Sequence, residues 1–374
     1  MKNNSQEIYV HIPFCERKCA YCDFVSFVSD REIQGAYFEK LKSQIKIKAE
    51  SAGTLPADSV FFGGGTPSAV DSGLIYETLE ELRKSFVVTE DAEITLEANP
   101  NSLTREKLKV YREAGINRLS IGLQSSDNEE LKVLSRLHTW EQFLEAFETA
   151  REEGFQNINI DIMSALPGQS LESYGKTLNR VLELNPEHIS AYSLIIEENT
   201  PFYERYKNGE GLPPEDTERE MYYETKRLLA TKGFERYEIS NYARPGKECR
   251  HNIGYWTRKP YLGFGIAAAS LTDEKRYMMH TDLKRFISGD FKEETEVLSE
   301  KDRLEEFMFL GLRLTRGVSK AEFRAEFGRD IYDVYGNKIL KLKEEGLLCE
   351  TDRLFLSERG LDLANVCMAE FMLD

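Results

Sequence analysis

The sequence predicts an α/β protein, a partial (β/α)6 barrel of the TIM type followed by a smaller C-terminal α+β unit. Two observations support this prediction. Over roughly the first 235 residues, apolar β-branched segments alternate with segments of helical period. Beyond residue 299 the order changes to three helices and a β-hairpin, which resembles a winged helix.

The alternating segments follow one another regularly along the chain. Predicted strands occupy 8–12, 59–62, 93–97, 118–121, 157–162 and 188–194, and predicted helices occupy 37–49, 74–86, 104–114, 140–153, 171–184 and 216–231. Strands that alternate with helices imply a parallel sheet with right-handed crossovers. In such a barrel the working residues lie at the C-terminal ends of the strands. A doubly wound nucleotide-binding sheet would need a G-x-G-x-x-G turn after the first strand, where a cysteine-containing segment stands instead.

Three regions are expected. Residues 1–235 form the barrel core, 236–298 add closing strands, and 299–374 form the winged-helix-like unit. In the second region, 237–243, 255–256 and 263–270 are predicted as strands and glycine-rich connections. In the third, helices are predicted at 301–314, 319–327 and 331–345, with a hairpin at 347–349 and 354–356.

Composition narrows the function classes. The chain has 374 residues, is 41% hydrophobic and carries a net charge of −16. Its acidity argues against a nucleic-acid partner, because phosphate binding depends on clustered Lys and Arg. The C-terminal unit also carries more acidic than basic residues, which disfavours DNA binding by the winged-helix-like region. No stretch is long and apolar enough for a transmembrane segment, and the polar start of the chain is unlike a secretory signal, so a cytoplasmic location is expected.

The cysteines are unevenly distributed. Three of the six, Cys15, Cys19 and Cys22, form a C-x3-C-x2-C pattern directly after the first predicted strand. In a cytosolic chain one tight cluster indicates metal binding more than disulfides. Three thiolates can hold three corners of an iron–sulfur cluster and leave the fourth iron open. Zinc would need a fourth ligand, and neither His11 nor Asp23 stands at typical zinc-site spacing.

The motif and its surroundings resemble a known superfamily. The run from Tyr9 through His11 to Cys15 reads Y-x-H-I-P-F-C. With the cysteine pattern it is similar to the radical SAM proteins, in the branch of oxygen-independent coproporphyrinogen III oxidase (HemN) and the haem chaperone HemW. The resemblance covers nearly the whole chain. It implies a [4Fe–4S] cluster on the three cysteines, with S-adenosylmethionine bound at the open iron. It also implies a low-potential electron donor such as flavodoxin or ferredoxin.

Further positions match the family at successive strand ends. The resemblance assigns the methionyl ammonium to the G-G-G-T-P turn, the ammonium or the sugar to Glu97, the ribose to Gln124 and Asp161, and the methionyl carboxylate to Arg136. A lone Glu or Gln on a strand is more often structural, but matches on successive strands favour a site. The expected cofactor-binding residues are Tyr9, Tyr21, Gly64, Gly65, Thr66, Glu97, Gln124, Arg136, Asp161 and, for haem, His251.

Two features separate the branches. The oxidase pattern has a fourth cysteine two residues beyond the third, and Phe24 stands there, as in the chaperones. The segment from His251 to Trp256 matches their HNxxYW motif, whose histidine could ligate haem and whose aromatic pair offers a flat apolar surface. Taken alone, these residues favour a structural role; the family pattern favours haem binding, with Cys249 a possible second ligand.

The expected function is therefore haem chaperoning. A haem-requiring respiratory protein would be the recipient, the cluster and S-adenosylmethionine would control dimerisation or release, and a homodimer is possible. The alternative is an oxygen-independent coproporphyrinogen III oxidase or a related enzyme.

Overall fold

A computed structural model describes residues 4–373. The first half of the alternation consists of β1 (Gln6–Ile12), α1 (Arg31–Ser51), β2 (Ala57–Gly64), α2 (Ser72–Ser85), β3 (Val88–Ala98) and α3 (Arg105–Ala114). The second half consists of β4 (Arg118–Gln124), α4 (Asn128–Val133), α5 (Trp140–Glu152), β5 (Ile158–Ser164), α6 (Leu171–Glu183) and β6 (His188–Ser193). Strands β1 to β6 are parallel and neighbour one another in chain order, which confirms the predicted partial barrel.

Alternation along the strands determines which side chains line the barrel. In β1, Ile8 and Val10 are fully buried in the main hydrophobic core, which also contains Phe38 of α1. Successive side chains of a strand point to opposite faces, so Tyr9 and His11 face the barrel interior. The same alternation places Glu97 of β3 and Asp161 of β5 inside. The barrel therefore has an apolar outer layer under its helices and a polar interior.

The region after β6 closes the barrel. It contains α7 (Pro201–Tyr206), α8 (Glu215–Thr231), β7 (Glu235–Arg236), β8 (Asn241–Ala243), α9 (Arg250–Trp256), β9 (Tyr261–Phe264), β10 (Ala269–Thr272), β11 (Lys275–Met279), α10 (Leu283–Ile287) and β12 (Glu293–Val297). Strand β8 pairs antiparallel with β6, and β9 pairs parallel with β1 at the other edge. Sequence patterning did not indicate β11 and β12, which extend the sheet beyond β10.

The prediction of a strand at 255–256 is wrong, because these residues end helix α9. The aromatic pair suggested β-structure, but His251 and Tyr255 are four residues apart and so share one helix face. Their side chains bond to each other, with 3.2 Å between Nε2 and the hydroxyl oxygen. Spacing, and not side-chain type, decided the conformation of this segment.

The C-terminal unit has a hydrophobic core of its own. It contains α11 (Glu300–Gly311), β13 (Val318–Ser319), α12 (Lys320–Phe327), α13 (Ile331–Glu344), β14 (Leu348–Glu350), β15 (Arg353–Leu356), α14 (Glu358–Asp362) and α15 (Ala364–Ala369). The strands form an antiparallel sheet in the order β13-β15-β14. Met308, Phe323 and Tyr335 are fully buried between the helices and this sheet. The three predicted helices and the hairpin are present, and two short helices that the sequence did not indicate, α14 and α15, follow them.

Residues 237–258 carry several contacts between the C-terminal unit and the barrel. Arg258 pairs with Glu306 at 3.0 Å, and both side chains are more than nine-tenths buried. The Arg313 guanidinium lies 4.3 Å from the Trp256 ring centroid. The Thr315 amide donates to the Tyr237 carbonyl at 3.0 Å. Helix α9, which carries the HNxxYW residues, therefore forms part of the surface on which the C-terminal unit packs.

Candidate functional site

The three clustered cysteines lie on the loop that leaves the C-terminal end of β1. The loop is closed by backbone hydrogen bonds between residues on its two sides, from Cys15 N to Phe27 O at 2.9 Å and from Phe27 N to Pro13 O at 2.7 Å. Within it, Cys22 N donates to Cys19 O at 3.2 Å. All three thiols belong to half-buried residues. A short, closed loop thus presents three sulfur ligands at one end of the barrel.

A pair of β1 side chains holds the far end of this loop. His11 Nε2 lies 2.9 Å from the Val25 carbonyl, so this nitrogen carries the proton. The other ring nitrogen, Nδ1, is then an acceptor and lies 3.1 Å from the Tyr9 hydroxyl. Burial lowers the pKa of His11 and so favours the neutral ring that this bonding requires. Tyr9 therefore supports the cysteine loop through His11.

The G-G-G-T-P turn after β2 packs directly against the start of the loop. Gly65 N donates to Ile12 O and Thr66 N donates to Phe14 O, both at 2.8 Å. Gly64 has φ +107°, and a Cβ there would lie 2.5 Å from the His11 ring. A Cβ on Gly65 would lie 2.8 Å from the backbone of Phe14. Glycine is required here because two backbone segments approach closely.

Glu97 is a buried carboxylate beside this turn. Gly64 N donates to its Oε2 at 3.2 Å, and a Cβ on Gly63 would lie 3.0 Å from the same oxygen. Burial, with a smaller contribution from the nearby Asp161 carboxylate, raises the pKa of Glu97 to about 8. A cation bound here would favour the ionised form, as expected for a carboxylate that receives an ammonium.

Arg136 lies between the cysteine loop and the strand ends. Its Nη2 donates to Asn99 Oδ1 at 2.5 Å and to the Gly122 carbonyl at 2.6 Å, and its Nη1 lies 3.6 Å from Cys19 Sγ. Asn99 in turn donates to Thr66 Oγ1 at 3.0 Å, and that hydroxyl lies 3.4 Å from Cys15 Sγ. Two of the three sulfurs therefore have hydrogen-bond donors beside them. At Cys15 burial outweighs the bond from Thr66 and raises the pKa of the thiol.

Of the expected ribose residues, Gln124 ends β4, whereas Asp161 lies in the middle of β5 and not at its end as expected. Gln124 adopts φ +72°, a conformation that costs energy for a side-chain-bearing residue and is concentrated at functional sites. Asp161 accepts from Asn159 Nδ2 at 2.7 Å and from Ser120 Oγ at 3.2 Å. Burial raises the pKa of Asp161, and these donors act in the opposite direction. Coulombic repulsion from Asp161 also affects Glu97, so the two carboxylates share one chamber.

The remaining predicted residue near the cluster, Tyr21, packs on an apolar cluster that includes Phe202 and lies beside Arg136 and Cys19. Its ring centroid lies 6.2 Å from that of Phe202 in α7, and Phe202 N donates to Ala20 O at 3.0 Å. Phe24, which follows the third cysteine by two residues, is 64% exposed. Among residues 4–373, no three His, Cys, Asp or Glu side chains are arranged to hold a single metal ion.

His251 lies beneath Tyr9, with 6.4 Å between the two ring centroids, and does not reach the cysteine loop. It is 1% exposed, with Nδ1 2.8 Å from Ser59 Oγ and Nε2 3.2 Å from the Tyr255 hydroxyl. Its ring stacks on Phe61 at a centroid distance of 5.0 Å. Burial lowers its pKa to about 3. Both nitrogens are engaged by protein hydroxyls, so in this conformation His251 has the structural role that was the alternative to haem ligation.

Sequence reasoning missed three polar residues that support the site. Asn99 connects Arg136 to Thr66, and Asn159 and His188 form a hydrogen-bonded pair beside Asp161. A period-two signal was available for Asn159, which stands two residues before Asp161 on β5; Asn99 follows the last residue of β3. His188, as the first residue of β6, gave no comparable signal.

Comparisons with known proteins agree with this geometry. Residues 9–181 match the model of the Radical SAM superfamily, and residues 298–363 match that of the HemN C-terminal domain. The protein called Heme chaperone HemW in Bacillus subtilis is 35% identical over 97% of this chain and 98% of its own length. Its Escherichia coli counterpart is 33% identical over 98% of this chain and 97% of its own length. The chain belongs to the HemW family.

This HemW-family chain is also similar to a vertebrate protein and to a radical SAM enzyme of known structure. The zebrafish protein called Radical S-adenosyl methionine domain-containing protein 1, mitochondrial, is 32% identical over 93% of this chain and 84% of its own length. The solved structure of coproporphyrinogen III oxidase (HemN) from Escherichia coli, a radical SAM enzyme, superposes with a TM-score of 0.87 at 24% identity. The superposition covers 98% of this chain and 90% of the HemN chain, which shows that the two share a fold. Between residues 4 and 373 the structure contains no helix that meets the length and apolarity needed to cross a membrane.

Proposed function

We propose that this chain is a haem chaperone that binds haem and transfers it to a haem-requiring respiratory protein. The observation that carries the proposal is the match along nearly the whole chain, at 33–35% identity, to curated proteins called haem chaperones in two distantly related bacteria. Phe24 supports it, because this exposed apolar side chain stands where the oxidase pattern has a fourth cysteine.

The cofactors of the proposal are a [4Fe–4S] cluster and S-adenosylmethionine. Cys15, Cys19 and Cys22 would hold the cluster, whose bound form supplies low-potential one-electron chemistry. Thiols on one closed loop fit this group, since thiolates are the ligands that iron–sulfur clusters require.

The residues at the strand ends fit the parts of S-adenosylmethionine. Glu97 and the carbonyl-rich glycine turn would accept from the ammonium, and Arg136 would pair with the carboxylate. Gln124 and Asp161 would bond the ribose hydroxyls. Glu97 would enter this complex ionised, so that the buried chamber holds a paired charge in place of an isolated one.

That His251 ligates the haem iron is a narrower proposal, and the structure shows what this ligation would require. Iron ligation needs a free imidazole nitrogen, and both are engaged in the barrel floor. Haem ligation by His251 would therefore require helix α9 to move away from the barrel, so that the bond to Ser59 breaks. If haem binds without that movement, another residue supplies the ligand.

Two parallel assays test the function. Anaerobically reconstituted protein is titrated with haem, and a saturable shift of the Soret band is expected. The same protein is incubated with S-adenosylmethionine, a reductant and coproporphyrinogen III, and no protoporphyrinogen is expected. Absence of haem binding together with multiple turnovers of porphyrinogen would overturn the chaperone and establish the oxidase.

Replacing His251 by Ala separates the two haem-site alternatives. A folded variant with an unchanged Soret titration would assign His251 to structure, whereas loss of the Soret shift would assign it to haem. His138→Ala is the matched control, because His138 is also buried and bonds a backbone carbonyl, that of Leu123, at 3.1 Å.

A further inference from the structure

A continuous line of hydrogen bonds, buried at its centre and partly buried at its ends, crosses the barrel from Asp161 to the start of helix α9. Asn159 Nδ2 donates to Asp161 at 2.7 Å, and Asn159 Oδ1 lies 2.6 Å from His188 Nδ1. His188 Nε2 lies 2.9 Å from the Tyr237 hydroxyl, which accepts from Cys249 N at 3.4 Å. Asn159, His188 and Cys249 are each at most 1% exposed. Four side chains and one backbone amide thus join β5, β6 and the residue that precedes α9.

The direction of these hydrogen bonds follows from the ends of the line. A carboxylate only accepts, so the Asn159 amide nitrogen faces Asp161 and its oxygen must accept from His188 Nδ1. Burial lowers the pKa of His188 well below its usual value, so the ring is neutral and Nε2 is an acceptor for the Tyr237 hydroxyl. Tyr237 then uses its oxygen to accept from Cys249. Every donor in the line points toward Asp161.

The distal end of the line lies where the C-terminal unit meets the barrel. The Tyr237 carbonyl accepts from Thr315 N at 3.0 Å, and the isolated bridge between Glu238 and Leu314 is adjacent. Helix α9 begins one residue after Cys249 and contacts the C-terminal unit through Trp256 and Arg313. A displacement of α9 or of the C-terminal unit would therefore disturb the bonds of Tyr237 directly.

We propose that His188 and Tyr237 are positioning residues for Asp161, and that they couple the nucleoside end of the cofactor site to the seating of helix α9. The inference rests on the proposed function, since it takes Asp161 as the ribose-binding carboxylate. His188 orients the Asn159 amide, and that amide holds one carboxylate oxygen, leaving Asp161 aligned for two ribose hydroxyls. Coupling of this kind is reciprocal. Cofactor binding must therefore stabilise the packed position of helix α9 by the same free energy by which that position strengthens cofactor binding.

The test removes a single hydroxyl. Tyr237→Phe is compared with the wild type for anaerobic binding of S-adenosylhomocysteine and of its 2′,3′-dideoxy analogue. About 5- to 10-fold weaker binding of the parent ligand is expected, the effect of one hydrogen bond, with no change for the analogue that lacks the ribose hydroxyls. Tyr174→Phe is the matched control: its buried hydroxyl lies 2.6 Å from Thr225 Oγ1, a residue of α8 outside the line, and it should bind both ligands as the wild type does.

Hydrogen exchange measures the coupling independently of affinity. Adding S-adenosylhomocysteine should slow exchange of the amides at 249–256 in the wild type, and this protection should shrink in Tyr237→Phe. If Tyr237→Phe does not fold, His188→Asn replaces it, because asparagine keeps a donor near Asn159 and removes the acceptor for Tyr237. That variant should show the same loss of affinity and protection.

The outcomes distinguish this inference from the proposed function. A wild type that binds no S-adenosylhomocysteine or S-adenosylmethionine contradicts the cofactor assignment itself. The positioning role is refuted if the wild type binds the cofactor and the folded variants bind both ligands with wild-type affinity. Equal weakening of the parent ligand and the dideoxy analogue, or unchanged exchange at 249–256 on binding, also refutes it.

Discussion

The contact between Gly65 and the cysteine loop gives the sharpest single-residue prediction. A Cβ added by Gly65→Ala would lie 2.8 Å from both Phe14 N and Phe14 O and 2.9 Å from Ile12 O. All three are backbone atoms of the segment that leads into Cys15. No side chain can rotate to relieve the contacts, so the turn and the loop must separate by about half an ångström to reach van der Waals distance.

The expected cost has two parts. Overpacking at a rigid site costs ~1–3 kcal/mol. Separation also weakens the bonds of Gly65 N and Thr66 N to the loop, at about 1 kcal/mol for a hydrogen bond that is lost. We therefore predict a loss of about 2–4 kcal/mol in the free energy of unfolding. Because Thr66 would move away from Cys15, iron and sulfide per chain should also fall after reconstitution.

The assay is anaerobic urea unfolding of the cluster-free protein, followed by iron and sulfide analysis of the reconstituted one. Gly175→Ala in α6 is the control, because no atom lies within 4 Å of the added Cβ. Alanine should stabilise that helix by ~0.5–1 kcal/mol and leave the cluster intact. The reasoning is refuted if Gly65→Ala unfolds at the wild-type urea concentration and carries a full cluster.

Three further predictions follow from other contacts. Cys19→Ser should abolish the visible iron–sulfur absorbance after reconstitution, and undiminished iron and sulfide would remove Cys19 from the ligand set. Arg258→Ala should lower the free energy of unfolding by ~1.5–3 kcal/mol, the loss of a hydrogen bond between charged groups, because it removes the 3.0 Å bond to the buried Glu306 carboxylate, which keeps Arg276 as its other partner; a loss below about 0.5 kcal/mol would contradict this. Burial raises the pKa of Glu97 to about 8 in the folded protein, from about 4.3 in the unfolded chain. Between these two pH values the folded state binds more protons than the unfolded state, so the contribution of Glu97 to the free energy of unfolding falls as pH rises from about 4.3 to about 8. Urea unfolding of cofactor-free Glu97→Gln should show its stability gain over wild type increasing from pH 6 to pH 8, and a gain independent of pH would contradict the buried carboxylate.

The sequence was informative where chemistry and strand period coincide. Cys15 and Glu97 could be identified because they stand near the end of an apolar strand, and parallel strands bring such ends together. Asp161 stands in the middle of β5, where a lone carboxylate among apolar residues marks it. Local patterns indicated the barrel for the same reason: each strand–helix unit repeats one arrangement of buried and polar positions.

The remainder depends on contacts between segments far apart in the chain. Residues 255–256, the end of helix α9, were predicted as a strand because aromatic residues favour strands, whereas the bond from His251 to Ser59, 192 residues away, is visible only in three dimensions. The burial of both His251 nitrogens has the same origin. Beyond Asn159 and Asp161, which are two residues apart on β5, the line through His188 joins residues from separate elements, and no local pattern indicates those bonds.

The most direct test of the chaperone account is haem transfer. Anaerobically reconstituted protein loaded with haem is mixed with an apo haem-requiring respiratory protein, the two are separated, and haem is measured in each. The account predicts that haem moves to the acceptor in at most stoichiometric amount, with no porphyrin product formed. Haem that stays on this chain, with catalytic formation of protoporphyrinogen from coproporphyrinogen III by the same preparation, would contradict it.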